Sequence, residues 1–115
     1  MFEVIVTIKE DGKELIHLAR SVEPVESTGL ARWTKAPAAA AETIPIDDIL
    51  STLQLFFATT NQDDCLFNFS NLTGINLMRN GLILILGGSM PSAPLARITY
   101  NGSDDASIRF LGAGS

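Results

Sequence analysis

Two side chains could support nucleophilic catalysis, His17 and Cys65, and the sequence holds no second histidine or cysteine. A Ser-His-Asp or Cys-His site needs a histidine as its general base. His17 falls in the middle of a predicted strand with no partner aligned beside it, so we expect a partly buried sheet histidine. Cys65 could reach it only through the fold. A single cysteine also excludes an intrachain disulfide and a cysteine-based zinc site, and we interpret it as a small buried hydrophobe.

Three acidic doublets could bind a divalent cation or share a proton in hydrolysis: Asp47-Asp48, Asp63-Asp64 and Asp104-Asp105. None has the alternating ligand spacing of a calcium loop. The first fits a helix start, where carboxylates stabilise the positive end of the helix dipole. The other two fit turns, where aspartate bonds to its own backbone. We therefore expect no metal site, and a cation site at residues 101–105 is the alternative.

Two further stretches suggest ligand contacts. Gly87-Gly88-Ser89 follows an apolar strand, as phosphate-binding turns do, but no amphipathic helix follows it and the fingerprint spacing is absent. It is interpreted as a turn, and no cofactor is expected. Trp33 lies between Arg32 and Lys35, where it could stack on a nucleotide or anchor a protein contact; an ordinary core or rim tryptophan is the alternative.

The composition indicates one small acidic domain spanning residues 1–115, because no low-complexity linker divides the chain. Its net charge is −5, and 46% of its residues are hydrophobic. The longest apolar run, Leu82 to Leu86, has five residues, whereas a bilayer span needs about 20, so no membrane segment is expected. The N-terminus lacks a basic leader. These features favour the cytoplasm, or the host cytoplasm or virion for a viral protein.

The apolar run Leu82 to Leu86 is flanked by glycines and predicts a central strand buried on both faces. Alternation from Phe2 to Ile8 and the turn signal Asp11-Gly12 predict an N-terminal hairpin in which Ile8 faces Leu15. That register places Ile5, Ile16 and Leu18 on the reverse side of the hairpin.

Apolar residues at helical spacing, from Ile46 through Leu53 to Phe57, predict one amphipathic helix over about 46–58. The chain after it is rich in strand and turn signals. The order of elements predicts an α+β fold with a mostly antiparallel sheet, an N-terminal β-hairpin and a C-terminal β-rich half that ends in a frayed tail at Gly112 to Ser115. The expected core consists of Val4, Val6, Ile8, Leu15, Ile49, Leu53, Phe56, Phe67 and Leu82 to Leu86. Within it, Leu84→Ala is expected to cost about 2–5 kcal/mol.

One helix covers only one face of a sheet, so we expect a homo-oligomer, most simply a twofold dimer, formed by an apolar sheet face or edge. The alternative is that the hairpin folds across as a second layer and makes a monomer viable. The candidate interface residues are Phe2, Ile5, Ile16, Leu18 and Trp33.

The sequence favours a non-enzymatic protein-interaction or structural module that self-associates, such as a small viral or phage protein or an acidic inhibitor of a larger protein partner. The absence of a catalytic constellation and the high apolar fraction motivate this hypothesis. The alternative is a small-molecule-binding protein or hydrolase that uses the Asp pairs and His17. Convergence of those groups in one pocket would favour the alternative.

We expect no binding to nucleic acid at physiological salt. A net charge of −5 repels a polyanion, and eight Lys and Arg residues offer few phosphate contacts. A mobility-shift assay at about 150 mM salt checks this. Micromolar binding that weakens steeply as salt rises would contradict it.

Overall fold

Eleven β-strands form the fold in the residues that the computed structural model describes, which are 1–46, 50, 52–69, 74–91 and 97–115. In chain order these are β1 (Phe2–Glu10), β2 (Lys13–Val22), β3 (Glu26–Ser27), β4 (Ala31–Lys35), β5 (Ala38–Thr43), β6 (Thr52–Thr60), β7 (Cys65–Asn68), β8 (Ile75–Leu77), β9 (Leu82–Pro91), β10 (Arg97–Tyr100) and β11 (Ala106–Gly114). These ranges contain no helix, so the fold is all-β and the predicted α+β class is wrong. It follows that no helix in them is long and apolar enough to cross a membrane.

Two antiparallel sheets make the body of the protein, and a separate two-stranded sheet, β1 with β2, makes the hairpin. The larger sheet has the order β3-β11-β6-β9, and β4 also pairs with β11. The smaller sheet has the order β5-β10-β7-β8. Buried side chains from both sheets form one cluster, so the two sheets pack face to face.

Three phenylalanines lie at the centre of this cluster. The ring of Phe56 on β6 contacts Phe67 at a centroid distance of 6.4 Å and Phe69 at 5.1 Å, both edge to face. Such pairs contribute about 0.5–1.5 kcal/mol beyond the burial of their area. Leu53, Phe56 and Phe67 of the predicted core are therefore confirmed as buried.

The segment predicted as a helix over 46–58 forms strand β6 instead. Its register with β11 shifts between Leu53 and Leu55, where two steps along β6 match the single step from Gly114 to Ala113, so β6 carries one extra residue in its alternation. Leu53 and Phe56, three residues apart, consequently both belong to the core. A β-bulge thus produced the i, i+3 spacing that indicates a helix. Asp47, Asp48 and Ile49, to which the predicted helix start and one core position were assigned, lie outside the described residues.

The strand predicted to be buried on both faces, β9, is buried on one. Ile83 lies in the core and Ile85 packs against it. Leu82 and Leu84 point to the opposite face, where they are 63% and 37% exposed. The expected loss of about 2–5 kcal/mol for Leu84→Ala is therefore too large for the isolated chain, because a half-exposed leucine loses only part of its burial energy.

The hairpin turn at Asp11-Gly12 is confirmed, since both residues have positive φ, 50° and 79°. The predicted register holds for the two residue pairs next to the turn and is wrong beyond them, where Ile8 does not face Leu15. A one-residue bulge at Leu15 places Ile16 opposite Ile8, and Leu18 opposite Val6. Opposite residues share a face, so Ile16 and Leu18 lie on the same face as Val6 and Ile8, not on the reverse side.

The C-terminal tail, predicted to be frayed, is the end of strand β11. Gly112 to Gly114 are buried, and Ser115 and Thr52 exchange two backbone hydrogen bonds, of 2.9 and 3.0 Å. On its other side, Gly112 accepts a backbone hydrogen bond from Thr28 at 2.9 Å. A strand held on both sides cannot fray in the way a free end does.

Gly114→Ala is expected to destabilise the protein by about 3 kcal/mol or more. The added methyl group would meet backbone atoms, which cannot move aside as a side chain can. A Cβ there would overlap the backbone carbonyl oxygen of Thr52. The matched control is Gly112→Ala, whose Cβ would meet side-chain atoms of Ile46, Leu50 and Leu53 at 3.3–3.4 Å and should cost less. Urea unfolding measures both. Equal midpoints for the two variants would contradict this packing.

Candidate interaction surface on the hairpin and the outer sheet face

The outer face of the larger sheet, which points away from the smaller sheet, is apolar. We call this face the floor, and its members are Leu55, Phe57, Leu82, Leu84, Leu86 and Leu111. Strand register aligns Leu111 with Phe57, and Phe57 with Leu84, so one apolar row crosses β11, β6 and β9. The larger sheet is therefore apolar on both faces, and within the described residues the four-stranded sheet packs on only one of them.

The hairpin lies over the floor and makes no strand pairing with it. Phe2, Val4 and Val6 on β1 are half-buried. Toward the hairpin tip the same face carries Ile8, 48% exposed, and Ile16, 43% exposed. The hairpin thus covers part of the floor, while the outer part of its own apolar face is uncovered.

Two grooves run between the hairpin and the floor. The groove along the β1 edge has a volume of about 500 Å³. Its lining includes Leu82 and Leu84 of the floor and residues from both faces of β1. The groove along the β2 edge has a volume of about 450 Å³ and is lined by Leu18, Arg20 and Leu84 among others. Large apolar patches of this kind are typical of interaction sites.

The structure brings three of the predicted interface residues to these grooves. Phe2 and Ile5 line the β1 groove, and Leu18 lines the β2 groove. Ile16 is exposed further along the same hairpin face as Leu18. Trp33 is not part of this surface, because it packs against the core between the two sheets. Sequence reasoning missed the floor, whose residues come from three strands that are distant in the chain.

His17 and Cys65 are not brought together. His17 lies on the exposed hairpin, where its Nδ1 contacts Glu14 at 3.0 Å and the Thr7 hydroxyl at 3.2 Å. Cys65 lies in the core, its sulfur 3.2 Å from the Thr60 hydroxyl. Burial raises the pKa of the Cys65 thiol, and the hydrogen bond with Thr60 opposes that shift. This arrangement fits a structural thiol and not a nucleophile.

Of the acidic doublets that the structure describes, Asp63-Asp64 is used in local hydrogen bonds. Asp63 accepts a bond from the backbone N–H of Arg79 at 2.9 Å, and Asp64 accepts one from the Asn76 side chain at 3.1 Å. These two carboxylates line a recess of about 380 Å³. Within the described ranges, no group of three His, Cys, Asp or Glu side chains is placed to hold a metal.

Lys35 is a buried charge that sequence reasoning did not identify as buried. Its side chain is fully covered, and its Nζ donates to the Ala36 carbonyl at 2.8 Å and to Glu42 at 3.0 Å. Lys35 ends β4 in the larger sheet and Glu42 belongs to β5 in the smaller sheet. A buried ammonium needs such partners, so this pair ties the two sheets together and is structural.

Comparisons of the chain with protein-family models, with curated proteins and with solved structures found no match.

We expect Cys65 to react with iodoacetamide on the order of a hundredfold more slowly in the folded protein than in urea, because alkylation requires local opening. The raised pKa acts in the same direction, since it lowers the thiolate fraction at pH 8. Mass spectrometry of timed samples measures the two rates. Similar rates in both conditions would show that Cys65 is accessible and would contradict its place in the core.

Proposed function

We propose that this protein is a non-enzymatic interaction module that associates with a second copy of itself through the hairpin and the floor. The observation that carries the proposal is that one chain exposes two apolar surfaces, the floor and the inner face of the hairpin, and that each is only partly covered. The floor exposes Leu82 and Leu84, and the hairpin exposes about half of Ile8. An apolar strand face can pack on an apolar sheet face, so the hairpin of each copy can cover the exposed part of the other copy's floor.

The size of the apolar surface indicates how strong such an association is. Ile8, Ile16, Leu18, Leu82 and Leu84 are each 37–63% exposed. Burying what remains exposed contributes about 1 kcal/mol for each side chain, or about 10 kcal/mol for both copies. Association costs about 4–15 kcal/mol. Apolar burial therefore only offsets the cost, and a stable complex requires directional contacts in addition.

The alternative of a hydrolase using the Asp pairs and His17 has less support. His17 is on the hairpin, whereas Asp63 and Asp64 are bonded to Arg79 and Asn76 near the smaller sheet. The two grooves are lined mainly by aliphatic side chains. Surfaces of this composition favour association.

Light scattering coupled to size exclusion tests the proposal. We expect twice the chain mass of 12.3 kDa at high protein concentration, with a shift toward 12.3 kDa on about hundredfold dilution. Leu84→Ser should shift the equilibrium to the monomer, because it places a hydroxyl on the floor.

The control for that substitution is Val25→Ser. Val25 is 82% exposed and lines neither groove, so its replacement should leave the mass unchanged. A mass of 12.3 kDa for the unsubstituted protein at every concentration would refute self-association. Circular dichroism confirms that each variant is folded.

A further inference from the structure

We propose that the two copies join through the outer edge of β1. In this arrangement β1 pairs antiparallel with β1 of the second copy about a twofold axis at Val6, and the joined hairpins form a sheet in the order β2-β1-β1-β2. The inference rests on the proposed self-association and names the edge and the register that produce it.

The edge of β1 is free to pair. In the described part of the chain β1 is bonded only to β2, so its other edge is open and runs along the groove of about 500 Å³. The strand has nine residues, none of them glycine or proline, and the hairpin's bulge lies in β2 at Leu15. An open, regular edge beside an apolar floor is the geometry that accepts an added strand.

The charges of β1 select one register. A twofold axis at Val6 places Glu3 opposite Lys9 of the second copy, and symmetry repeats this pair. Glu3 and Lys9 lie on the same face of β1, so the opposite charges meet side by side. An axis at Ile5 would place Glu3 opposite Thr7, and an axis at Thr7 would place Ile5 opposite Lys9. Neither alternative pairs opposite charges.

The same register covers the exposed apolar residues. It places Ile8 of the second copy opposite Val4, and Val4 lies over the floor. Ile8 is 48% exposed in one chain, and Leu84 beneath the groove is 37% exposed. The outer half of each β1 therefore packs on the floor of the other copy. The backbone hydrogen bonds of the new strand pair supply the directional contacts that apolar burial alone does not.

The outer edge of β2 does not offer an equivalent pairing. The bulge at Leu15 interrupts its alternation, so Glu14 and Arg20 fall on opposite faces of the hairpin. A β2 pair centred on His17 would thus bring no opposite charges together. The bulge that places Ile16 and Leu18 on the inner face thus also disfavours this pairing at the β2 edge.

Charge substitutions test the register. Glu3→Lys places lysines at both positions 3 and 9, and Lys9→Glu places glutamates at both, so each homodimer should weaken on the order of tenfold in Kd. Mixing the two variants restores both Glu–Lys pairs and should recover the original affinity. Analytical ultracentrifugation measures the homodimers and the mixture.

If only the net charge of the chain mattered, Glu3→Lys would have the opposite effect on dimer affinity. Glu3→Lys changes the net charge from −5 by +2 to −3, which reduces repulsion between copies and would by itself strengthen association. The control variant is Glu23→Lys, which makes the same change at an exposed residue after β2. Glu23→Lys should not weaken the homodimer, and its mixture with Lys9→Glu should recover only part of the affinity, because one of the two pairs is still Glu–Glu. Because Glu3 faces Ser21 within the hairpin, its substitution disturbs no internal charge pair. Lys9 faces Glu14 within the hairpin, so Lys9→Glu also adds an internal repulsion, and Glu3→Lys is the cleaner test of the register.

The outcomes separate the two proposals. If the unsubstituted protein is monomeric at all concentrations, self-association itself fails. If it dimerises and Glu3→Lys has no effect, or if mixing Glu3→Lys with Lys9→Glu gives no recovery beyond the Glu23→Lys mixture, self-association stands and the β1 pairing is refuted. Weakening by each substitution and recovery on mixing support the pairing.

Discussion

The constraint on which the structure depends is that the sheet of β11, β6 and β9 is apolar on both faces. The smaller sheet covers one face, where Phe56 meets Phe67 and Phe69. The other face holds the floor, and in the part of the chain that the structure describes it is covered by the hairpin alone, which has two strands. The protein exposes 6630 Å², more than the roughly 6,100 Å² typical of a compact monomer of this mass. Incomplete cover of one sheet face thus explains both the grooves and the exposed leucines.

The parts of the fold that depend on local signals could be predicted from the sequence. Asp11-Gly12 determines a tight turn because positive φ at both positions is a property of those residues. The register of the hairpin and the strand at residues 52–60 could not be predicted, because both contain bulges. The bulge at Leu15 reversed the face of Ile16, and the shift of register with β11 between Leu53 and Leu55 imitated helical spacing. A bulge depends on the partner strand, and the partner is set by tertiary contacts, so neither could be derived from the chain alone.

The candidate surface was predictable only on its hairpin side. Alternation along β1 indicates an apolar face, and the possibility that the hairpin folds across as a second layer was open from the sequence. The floor was not predictable, because Phe57, Leu84 and Leu111 become neighbours only through the order of strands in the sheet. The same limit applied to Trp33, whose two flanking cations suggested a surface role although it packs against the core.

Hydrogen exchange of the β1 amides tests most directly whether β1 pairs with a second copy. If it does, the outward-facing amides between Phe2 and Glu10 become bonded in the complex, so their exchange slows as protein concentration rises. The outward amides of β2 serve as the internal reference and should exchange at a constant rate. Two-dimensional NMR resolves both sets at micromolar and millimolar concentrations. Exchange of the β1 amides that does not change with concentration, in a protein shown to dimerise, would contradict the account.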